Sequence, residues 1–140
     1  WVMQLKKNLA IAAVTLSASA AQAEDAAIVL GKSIYDEHCT ICHGDDGKGG
    51  GHLGDLLRES PPDLTKISER SEGSFPIIRT YNVIVGGVAI PAHGGAGMPV
   101  WGRYFIADAL KAEGASMVEA EQQAAGRVLS VVYYLESIQD

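Results

Sequence analysis

Cys39-Thr40-Ile41-Cys42-His43 places one thiol three residues after another and an imidazole directly after the second. Thiols at this spacing add to the two vinyl groups of one porphyrin, and the adjoining imidazole reaches the iron, so the segment reads as an attachment site for c-type haem. Other uses of the same residues fit less well. A tetrahedral zinc site needs two more ligands beyond a Cys pair, and here they would have to come from His38, His52 or His93, at no recognisable finger spacing. A thioredoxin-like redox pair follows a strand, whereas the residues before Cys39 have helical spacing. A structural disulfide suits an oxidising compartment but gives His43 no purpose.

The start of the chain names the compartment. Met3-Gln4-Leu5-Lys6-Lys7 is a basic opening, Leu9 to Ala21 is an apolar and small-residue run, and Ala21-Gln22-Ala23 has the small-x-small form cut by a signal peptidase. Residues 1–23 are expected to be a signal peptide, leaving one domain over 24–140 exported to the periplasm. The alternative is a retained anchor, although the run falls short of the roughly 20 apolar residues of a spanning helix. No Cys precedes Cys39, which excludes a lipid-modified N-terminal Cys, so no stable membrane insertion is expected after cleavage. Trp1 and Val2 precede Met3 and are expected to be extraneous. The formal net charge is −6, and Lys6 and Lys7 leave with the leader, so the mature domain is more acidic still. Such a chain repels phosphate backbones, which excludes nucleic acid as a partner.

Helices joined by loops account for the pattern after residue 24. Ala27, Leu30, Gly31, Ile34 and His38 give one face to a first helix running into the Cys pair. Gly44 to Gly54 is a glycine-rich loop, continued by Pro61-Pro62, after which Asp63 caps a short helix near Leu64. Ser74 is expected to cap the next helix, with Pro76 in its first turn and Ile77, Ile78, Tyr81, Ile84 and Val85 as its buried stripe. Gly86-Gly87 ends it, and Pro91 to Gly102 is irregular. Tyr104 to Lys111 reads as a short helix stopped by Gly114. Ser116 caps a last helix, with Glu119 at capping-box spacing and Val128, Val131, Val132, Leu135 and Ile138 as its apolar face.

In this order and spacing the motifs resemble the class I c-type cytochromes, small single-haem electron carriers, and the resemblance covers most of the mature chain. Gly31-x-x-x-Tyr35-x-x-x-Cys39-x-x-Cys42-His43 is similar to the family's first helix, and Tyr134-Leu135 to its partner helix. Pro61-Pro62-Asp63-Leu64-Thr65 is similar to the segment whose carbonyl accepts the proximal His N–H. Gly97-Met98-Pro99-Val100-Trp101-Gly102 is similar to the distal Met loop. The resemblance implies an all-α, small cytochrome c fold of four to five helices around one covalently bound haem.

It also implies that Cys39 and Cys42 hold the haem, that His43 binds its iron, with Pro61 or Pro62 accepting the other ring N–H, and that Met98 binds from the opposite face. An isolated Met more often fills a core gap. Met98, however, stands outside any helical stripe, between Gly97 and Pro99, in a loop able to approach a cofactor. His93 in the same loop is the competing ligand and would give a bis-His site. Trp101 and Tyr81 are expected to wrap the porphyrin, with Arg79 a partner for its propionates, while His38 and His52 read as helix-end and loop side chains.

Iron with two axial protein ligands leaves no position for substrate, so the expected function is single-electron transfer between a dehydrogenase or upstream cytochrome and a terminal acceptor, not catalysis. Partners are then redox proteins, met by a protein expected to be monomeric. The alternatives are a haem subunit of a dehydrogenase complex, or a ligand-binding or catalytic haem with a labile distal position. A two-haem peroxidase would need a second Cys-x-x-Cys-His, and a thiolate-ligated sulfur enzyme a third Cys.

Overall fold

A computed structural model of the chain describes residues 25–57, 59–86, 98–111 and 115–140. Its helices are α1 across 25–38, a single turn α2 at Thr40–His43, α3 at Ile77–Val85, α4 at Trp101–Lys111 and α5 at Met117–Ser137. Short 3-10 turns fall at Gly54–Leu56, Leu64–Lys66 and Glu69–Ser71. No strand occurs among the described residues, so the expected all-α fold is the observed one. None of the described helices is long and apolar enough to cross a membrane.

The crossing of α1 and α5 organises the core. A Cβ on Gly31 would lie 1.9 Å from the Ser130 carbonyl oxygen and 2.9 Å from Tyr134 Cβ, so the two helices meet backbone to backbone. Tyr35, one turn further along α1, tilts against Tyr134 with ring centroids 5.2 Å apart. Ile34 and Tyr35 are buried, and Ile28 packs against the same cluster. Leu30, expected on this face, is 47% exposed. With about 3.6 residues per turn, a stripe through 28, 31 and 35 turns position 30 outward.

On α5 the expected apolar face is present. Val128, Val131, Val132 and Leu135 are buried, while Ile138 stands just past the last turn as the C-cap residue. Its first turn carries the expected capping box. Ser116 Oγ accepts from the Glu119 N–H at 3.3 Å, and the Glu119 carboxylate accepts from the Ser116 N–H at 2.8 Å. These bonds hold the Glu119 carboxyl below its ordinary range. Arg127 Nη1 donates to Asp108 Oδ2 at 2.7 Å, tying α5 to α4.

Three further expectations are corrected. Ser74 does not cap α3: Pro76 holds that position without a side-chain cap. The Ser74 N–H instead donates to the Ser71 carbonyl at 3.2 Å, in a turn that runs through left-handed Glu72 and Gly73. Ile78 is 74% exposed, because Thr80 and Ile84 define the inward side of α3. Finally, α4 starts at Trp101 and not at Tyr104, with Gly102 inside it. The absent side chain lets α4 lie against α3, since a Cβ there would stand 3.1 Å from Val85 Cβ. Gly87, the region 91–97 and Gly114 lie outside the described residues.

The chain end clasps the segment after the prolines. Asp63 caps its turn as expected, accepting from the Thr65 N–H at 2.8 Å and from Thr65 Oγ1 at 2.7 Å. Gln139 Oε1 accepts from the Ser68 N–H at 2.8 Å, and Gln139 Nε2 donates to the Leu64 carbonyl at 2.9 Å. The Asp140 N–H donates to the Thr65 carbonyl at 3.1 Å.

Two glycine substitutions should separate close approach from helix propensity. Gly31→Ala forces α1 off α5 and should destabilise the protein by about 3 kcal/mol. Gly126→Ala on α5, where nothing lies within 4 Å of the new methyl, should stabilise by up to about 1 kcal/mol. Denaturant midpoints of the haem-loaded protein measure both. Equal effects would show that the crossing is not backbone-limited.

Candidate functional site

The turn that follows α1, Cys39 and then α2, carries the two thiols and the imidazole. Cys39 breaks the helix only slightly: its N–H still donates to the Tyr35 carbonyl at 2.8 Å, and the His43 N–H donates to the Cys39 carbonyl at 2.9 Å. In helical backbone, positions 39, 42 and 43 share a face, which is the structural content of the x-x spacing. Gly44 then reverses the chain with φ of 76°. The buried Tyr35 hydroxyl donates to the Gly44 carbonyl at 2.8 Å, and the Gly49 N–H donates to the His43 carbonyl at 2.8 Å. Burial pushes the Tyr35 hydroxyl far above its ordinary range, so it remains a donor. Gly51 is buried against the carbonyls of this turn, where a Cβ would come within 2.4 Å of the Thr40 carbonyl oxygen.

A cavity of about 490 Å³ adjoins this turn, and Cys39, His43 and Met98 all line it. Ile34, Leu64, Ile84, Trp101, Phe105 and Leu135 supply much of its apolar wall, and Arg70 and Arg79 also line it. His43 is buried. Burial pushes the Cys39 thiol up to about 12, so a free sulfhydryl there is neutral at pH 7. A thioether carries no charge either and suits the same surroundings. Cys42 is half-buried, and both cysteines are free of any disulfide. Cys42 stands outside the cavity wall.

Other expected residues divide. Trp101 and Arg79 line the cavity, and so does Pro62 of the proline pair. Tyr81, expected against the porphyrin, is not in the wall; it packs half-buried on the core cluster. His93 lies outside the described residues. His52 is exposed, as a loop side chain should be. His38 is more enclosed than a helix-end residue: its ring lies 5.2, 5.3 and 5.5 Å from those of Trp101, Tyr104 and Phe105. Arg70 and Thr80 in the cavity wall were not anticipated, because neither stands in a local motif. Among the described residues no three His, Cys, Asp or Glu side chains converge to hold a metal ion by themselves.

Compared with models of known protein families, the chain matches Cytochrome c over residues 28–113. The chain belongs to the cytochrome c family. It is therefore a c-type cytochrome, an electron carrier with a covalently attached haem c and its iron, and the Cys39 and Cys42 spacing fits the attachment motif. Searches among curated proteins and among solved structures returned no match. The cavity suits such a cofactor. Its volume falls within the roughly 300–1,000 Å³ of ligand pockets, and its walls are mostly apolar.

Tyr35→Phe tests the anchoring of the turn in this cytochrome. It removes the shorter of two hydrogen bonds to the Gly44 carbonyl, which keeps the Gly47 N–H at 3.3 Å, and should cost about 0.5–1.5 kcal/mol, read as a lower denaturant midpoint with the tyrosine pair's packing kept. An unchanged midpoint would show that the bond carries no stability.

Proposed function

We propose that this cytochrome is a periplasmic single-electron carrier whose haem is fastened by Cys39 and Cys42 and ligated by His43 and Met98. The observation that carries the reading is the convergence of Cys39, His43 and Met98 on one apolar cavity. Residues 1–23 serve as the export leader and 24–140 form the working domain.

Bound haem supplies a one-electron couple at its iron. The chain sets the conditions for it. His43 and Met98 would be the protein ligands of its iron, which favours electron transfer over substrate chemistry, and a thioether paired with imidazole raises the reduction potential relative to two imidazoles. Pro61 or Pro62 would accept the second His43 ring N–H, which would fix ring orientation and basicity. The Tyr35 bond to Gly44 holds the turn that carries His43. Arg79, and Arg70 beside it in the wall, offset the charge of the propionates. Arg70 is already positioned, its guanidinium donating to the Asp63 carbonyl at 2.7 Å. Apolar walls exclude water, so little solvent reorganises when the electron moves. Partners are redox proteins, namely a dehydrogenase or another cytochrome upstream and an oxidase or similar acceptor downstream.

Optical spectroscopy of the exported protein tests this. The account expects a low-spin spectrum with the weak Met-to-iron band and no reaction of the ferrous protein with carbon monoxide. Met98→Ala should abolish that band and either lower the reduction potential or admit carbon monoxide. An unchanged spectrum in Met98→Ala would transfer the ligand role to His93, and ready carbon monoxide binding by the unaltered protein would replace the carrier with a ligand-binding haem.

A further inference from the structure

We propose that His38 is a positioning residue that keeps Met98 on the iron, by joining the attachment turn to the start of α4 through a cluster of aromatic rings. This rests on the reading of His43 and Met98 as the iron's protein ligands.

His38 directly precedes Cys39, which lines the cavity, while Trp101 follows Met98 by three residues and opens α4. The imidazole joins these two parts. Its centroid lies 5.2 Å from that of Trp101, 5.3 Å from Tyr104 and 5.5 Å from Phe105. The three rings also meet one another, Trp101 against Tyr104 at 5.4 Å, Trp101 stacked on Phe105 at 5.9 Å and Tyr104 edge-on to Phe105 at 5.5 Å. Trp101 and Phe105 belong to the cavity wall and His38 does not, so the imidazole supports the wall without entering it. Only 16% of its side chain is exposed. Glu37 Oε2 stands 3.8 Å from its Nε2 but is itself on a side chain 73% exposed, where a charge pair contributes little. Ring packing, not charge, sets the place of His38.

The consequence reaches the distal side. The stretch from Met98 to Trp101 is pinned at the end of α3 by Val100, whose Cγ1 would lie 2.6 Å from a Cβ on Gly86. At the end of α1 it is pinned by His38 on Trp101. Further along, α4 is tied independently, since Arg127 pairs with Asp108 at 2.7 Å and its guanidinium carbon lies 5.8 Å from the Phe105 centroid. Loss of the His38 ring therefore loosens the start of α4 and not its later turns. Aromatic pairs at these separations attract beyond the area they bury, so that loosening favours molecules whose Met98 has left the iron. An added ligand binds iron only in those molecules, and its apparent affinity measures their fraction.

The test titrates free imidazole into the ferric, haem-loaded protein and follows loss of the Met-to-iron band. His38→Ala should tighten the apparent affinity for free imidazole about tenfold, and His38→Phe, which keeps a ring in place, should restore it. Tyr104→Ala removes one of the same contacts from the α4 side and should also tighten it. Combined with His38→Ala, it should tighten the affinity by less than the product of the two separate effects. Val128→Ala, at a fully buried site of α5 outside the cavity wall, should lower the denaturant midpoint and leave the affinity unchanged. The proposal is overturned by an unaltered affinity in His38→Ala, by no restoration in His38→Phe, or by effects of the His38 and Tyr104 variants that simply multiply. Equal tightening in Val128→Ala would reduce the effect to general loosening and overturn it too. Absence of the Met-to-iron band from the unaltered protein would remove the ligand reading and this proposal with it, whereas a band that is present but indifferent to His38 overturns this proposal alone.

Discussion

The contact of α1 on α5 at Gly31 is the constraint on which the rest of the molecule depends. Two helix backbones meet there with no side chain between them, and a Cβ on Gly31 would lie 1.9 Å from the Ser130 carbonyl oxygen. Such closeness fixes the position of α1 along α5. Tyr35 is then seated against Tyr134, and its hydroxyl reaches over to the Gly44 carbonyl. Cys39 and His43 arrive at the cavity because the helix carrying them has nowhere else to end. Residues far from the chemistry thus set its geometry.

Around that fixed crossing the cavity is closed by parts of different character. α5 supplies an aliphatic floor through Val131 and Leu135, and α3 and α4 supply Ile84, Trp101 and Phe105. The segment after the prolines brings Leu64 and includes Pro62, and hydrogen bonds between it and Gln139 and Asp140 hold it in place. In a domain of this size a large apolar cofactor contributes a substantial part of the buried surface. Stability and cofactor retention are therefore coupled in this cytochrome.

What the sequence revealed depended on how local each cause was. The Cys39 to His43 motif is legible because covalent attachment demands one helical turn of fixed spacing. The Ser116 and Glu119 box is legible because both partners lie within one turn. Asp63 announced its turn for the same reason. Ser74 misled because a competing turn through Glu72 and Gly73 took its backbone N–H. The start of α4 was missed because Gly102 reads as a breaker when only the chain is considered, whereas its role is to let α4 approach Val85. Leu30 and Ile78 were misplaced because helical spacing alone does not fix which side of a helix faces the core: Ile28, not Leu30, packs on it from α1, and Thr80 and Ile84 are the buried residues of α3. The Gln139 clasp and the placing of Arg70 in the cavity wall left no local pattern, since both depend on partners brought together only by the fold.

The claim beneath all of this is that one haem is bonded to the Cys39–Cys42 turn. Mass spectrometry of the protein exported from cells with working cytochrome maturation tests it most directly, on the intact chain and on the proteolytic peptide spanning residues 39–43. The account predicts that the chain and that peptide each carry the added mass of a single haem, retained through acid and organic solvent. A bare polypeptide, or haem released by such extraction, would contradict it.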